Sequence, residues 1–422
     1  MTFVLFSAFF LPIMAQNIYT FVQLSDPRGV AIDSTGCLYI ANRFGQQILK
    51  VNPVGNISII AGTGSWGFSG DGGAATSAKL YNPSGVAVDA SGNVYIADDS
   101  NNRVRKINPS GVISTFAGTG VAGFSGDGGA ASSAQLNGPT GVVVDALGNL
   151  FIAERYNHVI RKVNPSGIIS TFAGTGTSGF NGDGGAATNA QLFNPSGLAF
   201  DLLGNLYIAD ISCRIRKVNT AGIISTFAGT GIQGYSGDGG AATSAQLGSS
   251  CGVAVDASGN VYIAENGNQL IRKVNTAGII STFAGTGTCN FSGDWGPAIS
   301  AQLCNPTGIA IDTSGNVYIA DNNNQRVREI CITGCLANIN SLTEDNNKIF
   351  VYPNPNSGSF KLNGEISNGE IFLFNSLGQK VLDQKILQGE NNIITIGFAK
   401  GIYHYVVFQN KQLASFGKLA IE

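Results

Sequence analysis

The side chains of this 422-residue chain that could do chemistry recur at matching places along it. Asp71, Asp127, Asp183, Asp238 and Asp294 each follow a glycine in a loop of the form GFSGDGGAATSAQL. A carboxylate on such open backbone can ligate calcium, the one cofactor this set would take. Its commoner role is to accept backbone N–H bonds in a turn or to cap a helix. At a second recurring position Asp98, Asp210 and Asp321 are followed by Arg103, Arg214 and Arg326, which reads as self-satisfying pairs across a hairpin. Glu154 and Glu265 are followed there by Val159 and Leu270 and lose that partner. They flank the shortened turn Ile211-Ser212-Cys213, where a recess edged by two carboxylates would hold a cation or a hydroxylated ligand. With Trp295 they are the candidate ligand-binding residues. No catalytic residue is assigned.

Other signals resolve toward structure. Trp66, Phe68, Phe124, Phe180, Tyr235, Phe291 and Trp295 occur about once per loop, as sugar-stacking platforms or as wedges between repeats. Gly118, Gly120 and Gly123 match a dinucleotide fingerprint formally, but no parallel strand and crossover helix surround them. Of seven cysteines, Cys289 and Cys304 lie at the two ends of one loop, and Cys213 and Cys251 fall on one face of adjacent repeats. Both pairs are predicted as disulfides of an oxidising compartment, and Cys37, Cys331 and Cys335 must leave one thiol over. Nothing in their spacing suggests zinc.

The elements that position these groups follow from self-similarity. The segment GVAID recurs with its Asp at 33, 89, 145, 201, 256 and 312, a period of 56 residues with one step of 55. In the second copy four strands are expected, at 85–89, 93–97, 103–107 and 112–117, separated by Gly-, Asn- and Pro-containing turns. Four antiparallel strands per repeat make a propeller blade, so six copies predict six blades. The last copy lacks its fourth strand. Ile18-Tyr19-Thr20-Phe21 matches Ile113-Ser114-Thr115-Phe116, so the N-terminal strand is expected to close blade six and leave no open edge. The long loops and the turns after strand two then share one face, the expected binding surface.

Before that strand, the apolar run 2–14 ending at Ala15 has the length of a signal-peptide core, which places a cleaved signal at residues 1–15. Propeller (16–335), linker (336–346) and a small second domain (347–422) follow. No later segment is long and apolar enough for a transmembrane helix. With 58 glycines and 12% charged residues the chain reads as turn-dense all-β. The net charge of −2 gives no overall attraction to nucleic acid.

Units such as SGNVYIADDSNNRVRKINPSGVISTFAGTG resemble NHL repeats, the six-bladed propeller family, over residues 18–330. The C-terminal region resembles the type A sorting domain of type IX secretion. It does so through Tyr352-Pro353-Asn354-Pro355, Gly358, Gly378-Gln379, Gly401, Tyr403 and Lys418. That resemblance implies an Ig-like β-sandwich, recognition by the type IX machinery, passage through the periplasm and outer membrane, and release or display outside the cell. NHL propellers include lyases, RNA binders and adhesion modules, so the fold alone does not choose an activity. The amidating-lyase mechanism needs several histidines, whereas this chain has His158 and His404. An RNA binder would need a basic face, yet Arg105, Lys106, Arg216 and Lys217 lie beside acidic neighbours. The favoured expectation is an exported non-catalytic propeller that binds an unidentified protein or glycan. The alternative is a calcium-dependent lactonase- or hydrolase-like propeller.

Overall fold

The computed structural model describes residues 16–332 except 54 and 295, and then 350–352, 359–363, 369–374, 380–386, 392–394, 398, 400–409 and 412–421. The proposed signal segment, the linker and Trp295 lie outside the described residues, as do Pro353, Asn354, Pro355, Gly358, Gly378 and Gln379.

Six four-stranded antiparallel blades form the first region. Blade two runs Pro83–Val88, Val94–Asp98, Arg103–Ile107 and Ile113–Ala117 in spatial order. Second strands such as Val94–Asp98 are buried along their whole length, which is why they read as continuous apolar runs. Each blade packs on the next through its own apolar cluster, and six such clusters link every neighbouring pair, the sixth to the first included. The turn after the first strand is fixed by the Asp of GVAID: Asp89 accepts the N–H groups of Ser91 and Asn93, and Gly92 takes a positive φ of 80°.

The ring closes as expected. The N-terminal strand Asn17–Gln23 pairs antiparallel with Arg326–Cys331 and becomes the fourth strand of blade six. A singular bond secures it. The other blades carry Lys50, Lys106, Lys162, Lys217 and Lys273 where blade six has Glu329, and Tyr19 donates its hydroxyl to that buried carboxylate.

The glycine of GVAID lies where the six innermost strands converge. A Cβ on Gly29, Gly85, Gly141, Gly197, Gly252 or Gly308 would fall less than 3.0 Å from a backbone oxygen of the next blade: Ser84, Thr140, Ser196, Cys251, Thr307 or Arg28 in turn. Only glycine permits that approach.

The second region has sheets Phe350–Tyr352, Ser359–Asn363, Asn392–Ile394 and Gly369–Phe374, Lys380–Ile386, Gly401–Gln409, Gln412–Ile421. Phe360 and Leu362 of one sheet share a core with Ile371, Leu373, Tyr403, Val407 and Leu419 of the other, a small sandwich. Tyr403 is buried in that core, and Lys418 pairs with His404 across the last hairpin. Among the described residues no helix is long and apolar enough to cross a membrane.

Candidate ligand site at the propeller axis

The expected site residues form ion networks in which buried arginines and acids meet partly exposed loop aspartates. Arg105, Arg161, Arg216, Arg272 and Arg328, the central residues of the third strands in blades two to six, are fully buried. Each reaches the aspartate of the preceding loop: Arg105 meets Asp71 at 2.5 Å, Arg216 meets Asp183 at 2.7 Å, Arg328 meets Asp294 at 2.7 Å, and Arg161 and Arg272 hold Asp127 and Asp238. The other oxygen of Asp71, Asp127, Asp183 or Asp238 accepts from a fourth-strand threonine, and Thr20 of the N-terminal strand donates to Asp294 in the same way. Asp127 and Asp238 lose some solvation, but hydrogen bonds from Thr171 and Thr282 and the adjacent arginines hold both carboxyls below their ordinary range. These five aspartates therefore tie loops to blades.

Glu154 and Glu265 belong to the same networks. Both are fully buried and edge no open recess. The partner they were expected to lack is supplied seven residues on: Arg161 at 2.9 Å and Arg272 at 3.3 Å. Each also accepts the N–H of the residue leading into its blade, Asn137 or Gly248 at 3.0 Å, and a side-chain amide from Asn157 or Asn268. Burial raises the Glu154 pKa to about 7 and that of Glu265 in the same direction, against the pull of their arginines. The cross-hairpin pairing also needs correction. Asp98 lies opposite Arg103, but its salt bridge is to Arg105 at 3.5 Å, because Arg103 turns outward to the Thr119 carbonyl and the Phe68 ring. The loop aromatics cover such arginines: Phe68, Phe124, Phe180, Tyr235 and Phe291 each lie over one or two guanidinium groups.

Cys289 and Cys304 are bonded as expected. Cys213 and Cys251 are both free thiols, which corrects the second pairing. Cys213 packs in the cluster between blades four and five, whereas Cys251 sits on an innermost strand and faces the axis. Cys37 is also free, Cys331 is disulfide-bonded, and Cys335 lies outside the described residues.

What the sequence reasoning missed is at the axis. A cavity of about 340 Å³ is lined by the starts of the six first strands and the turns after the second strands. Its first ring of residues is Arg28, Ser84, Thr140, Ser196, Cys251 and Thr307. The hydroxyls of Ser84, Thr140, Ser196 and Thr307 donate to carbonyls of the neighbouring blade and stitch the ring together. Arg28 and Cys251 break the pattern. In the second ring, Arg43, Asp99, Arg155, Ile211 and Asn266 line the cavity.

Three guanidinium groups thus face one carboxylate. Arg28 is 3.8 Å from buried Asp26, and the Arg43 and Arg155 guanidinium groups donate to no protein acceptor among the described residues. Their buried Nε atoms, that of Arg28 and the Oδ1 of Asn266 lack any hydrogen-bond partner there. Burial raises the Asp99 carboxyl pKa, opposed by Arg43, Arg155 and Arg28. Burial likewise raises the Cys251 thiol, so it stays protonated at neutral pH and is no activated nucleophile. The arrangement can bind an anion, and desolvated arginines without partners are the groups that gain most from one. The signal was available as departures from the repeat at two positions, Arg28 and Cys251 in one, Arg43, Asp99 and Arg155 in the other.

Against known families, residues 64–123, 120–181, 175–236 and 230–291 match the Teneurin NHL domain, together more than half of the chain. Residues 303–330 match the NHL repeat and 350–422 the secretion system C-terminal sorting domain. The chain is similar to Teneurin-4 of Homo sapiens, 28% identical over 408 residues, 87% of this chain and 14% of that protein. It is also similar to SUPPRESSOR OF QUENCHING 1, chloroplastic, of Arabidopsis thaliana, 29% identical over 64% of this chain and 27% of that protein. It therefore spans well under a third of the length of these curated relatives. Among solved structures, an auxiliary nutrient binding protein from Bacteroides thetaiotaomicron aligns with a TM-score of 0.55 at 14% identity, covering 74% of this chain and 76% of that one. A gluconolactonase from Xanthomonas campestris aligns with a TM-score of 0.50 at 14% identity, covering 76% and 92%. At such identities the likeness is one of fold.

Proposed function

We propose, for a chain that belongs to the Teneurin NHL-domain family of propellers and ends in a secretion sorting domain, that it is a non-catalytic binding protein whose ligand enters the axial pocket. The sorting domain marks the chain for export to the cell surface or the medium by type IX secretion. The proposed route is a signal peptide at residues 1–15, transit of the periplasm, and removal of residues 347–422 on arrival. A protein or glycan of the outside medium is then the ligand.

One observation carries this reading: three arginines converge on a cavity of about 340 Å³ with their hydrogen-bonding capacity largely unused. Buried polar groups are ordinarily satisfied within the fold. Arg105, Arg161, Arg216, Arg272 and Arg328 also leave Nε unpartnered, but their terminal NH groups bond acids and backbone carbonyls, which those of the axial arginines do not among the described residues. A calcium hydrolase is less consistent with the pocket, because one carboxylate among three guanidinium groups repels a cation. Among the described residues no group of three His, Cys, Asp or Glu side chains could hold a metal ion.

The test uses the full chain in binding titrations against soluble glycans and surface proteins of its host, beside Asn266→Trp, which fills the pocket mouth. Ligands of the axial site should lose at least about tenfold in affinity. If Asn266→Trp leaves every detected affinity unchanged, the ligand site lies elsewhere.

A further inference from the structure

We infer that the axial pocket takes an acidic saccharide, a sugar ring bearing a carboxylate, a deepening that rests on the reading of that pocket as the ligand site. The acid is drawn in by Arg28, Arg43 and Arg155, and the ring lies on Phe44 and Tyr156.

The argument begins from two dipeptides at equivalent turns, Arg43-Phe44 in blade one and Arg155-Tyr156 in blade three. The same positions elsewhere hold Asp99-Ser100, Ile211-Ser212, Asn266-Gly267 and Asn322-Asn323, so the arginine–aromatic pair is no feature of the repeat. Phe44 is 67% exposed and Tyr156 57%, although the aromatic rings of the loops are used to cover buried arginines. Each of the two rings sits beside its own guanidinium group, at 5.9 and 5.6 Å. The Tyr156 ring and the Asp99 carboxylate both border Gly138, so this ring stands beside a cavity-lining carboxylate, just outside the residues that form the cavity wall.

These groups divide the ligand's chemistry. A guanidinium fork matches a carboxylate in two parallel hydrogen bonds. An exposed aromatic face takes the apolar C–H face of a sugar ring. The Asp99 carboxylate, which accepts no hydrogen bond among the described residues, and Asn266 Oδ1, buried without a partner, can accept from ring hydroxyls. A bare anion would engage the arginines and leave rings and acceptors unused. A neutral sugar would leave Arg43 and Arg155 with only Asp99 to offset them, since Asp26 lies beside Arg28. The cavity volume is at the small end of ligand pockets, the size for a terminal unit or a short segment of a chain.

The experiment is calorimetric titration of the full chain with a glucuronate-containing disaccharide, its carboxyl-reduced neutral counterpart, acetate, inorganic phosphate and a Glu-rich peptide. The acidic disaccharide should bind at least about tenfold more tightly than each of the other four. Arg43→Ala with Arg155→Ala should weaken it about tenfold or more, and Arg155→Lys should weaken it less. Phe44→Ala with Tyr156→Ala should weaken the disaccharide while leaving acetate unchanged. Unchanged thermal midpoints would show that the variants are folded. Equal affinity for phosphate, acetate or the peptide would reduce the pocket to an anion site and overturn the saccharide. Indifference to loss of both rings would do the same. If the acidic disaccharide does not bind but another ligand does and is blocked by Asn266→Trp, the axial site stands and only its assignment to an acidic sugar falls.

Discussion

Two sets of arginines in one molecule are used in opposite ways. Arg105, Arg161, Arg216, Arg272 and Arg328 recur once per blade, are wholly buried, and each holds the loop aspartate before it. Arg28, Arg43 and Arg155 occur off the repeat, face a cavity and find little to bind. Blade one shows that the first set is a device. It receives the short connection from the N-terminal strand, without an aspartate loop, and it has Leu49 and Asn42 where the other blades have an arginine and an acid. Loop aspartate, arginine and acid are present together or absent together, as expected of groups whose burial is tolerable only when all are paired. The axial arginines obey no such rule, which is why we assign them to a ligand.

The comparison breaks most readily at Arg161. Removing it strands Glu154 without its ionic partner in the interior and frees the loop carrying Asp127. Arg161→Ala is expected to cost about 3–5 kcal/mol, measured as a shift of the urea unfolding midpoint. A loss below about 1 kcal/mol would mean that the network is incidental. The reverse test is Leu49→Arg, which puts an arginine into blade one with no aspartate to meet it. It should destabilise by about 2–4 kcal/mol, and adding Asn42→Asp should recover part of that loss.

How much of this was legible follows from the same residues. The period of 56, the turn chemistry around Asp89 and Gly92, and the match of residues 18–21 to a fourth strand were enough for six blades and their closure. The ion pairs were misassigned by two residues because Arg103 and Arg105 share one face of a strand. Sequence does not say which is covered by a loop returning from the previous blade. That error made Glu154 and Glu265 look unpartnered. The Cys213–Cys251 pairing failed for a related reason: both lie toward one face but at different radii, one between blades and one at the axis. The axial pocket was hidden more deeply, since Arg28, Arg43, Asp99 and Arg155 come from three blades and meet only when the ring is closed.

A smaller effect separates the two sets by pH. Burial raises Asp98 to about 6 and Glu154 to about 7, and raises Asp210, Glu265 and Asp321 in the same direction. Glu329, beside Tyr19 at the ring closure, is raised to about 7. The folded state therefore holds these protons more tightly than the unfolded chain, whose carboxyls titrate near 4. Stability is fullest below that range and falls as pH rises toward 7. Glu154 and Glu329 should each account for a loss of about 2–3 kcal/mol between pH 5 and pH 8, read from urea midpoints. Glu329→Gln should flatten part of the slope. A midpoint that climbs with pH would contradict the burial of these acids.

The smallest expected change is the most discriminating. Arg155→Ala removes a half-buried guanidinium group that donates to no protein acceptor among the described residues and lies among like charges, so unfolding stability should move by no more than about 0.5 kcal/mol in either direction. The same truncation one blade-strand away, at Arg161, is the largest change anticipated in the molecule. If Arg155→Ala also costs several kcal/mol, then the axial arginines are structural like the others, and the contrast on which the pocket reading depends disappears. If stability holds while ligand affinity falls, the arginines that the fold leaves unpaired are the ones the protein uses for binding.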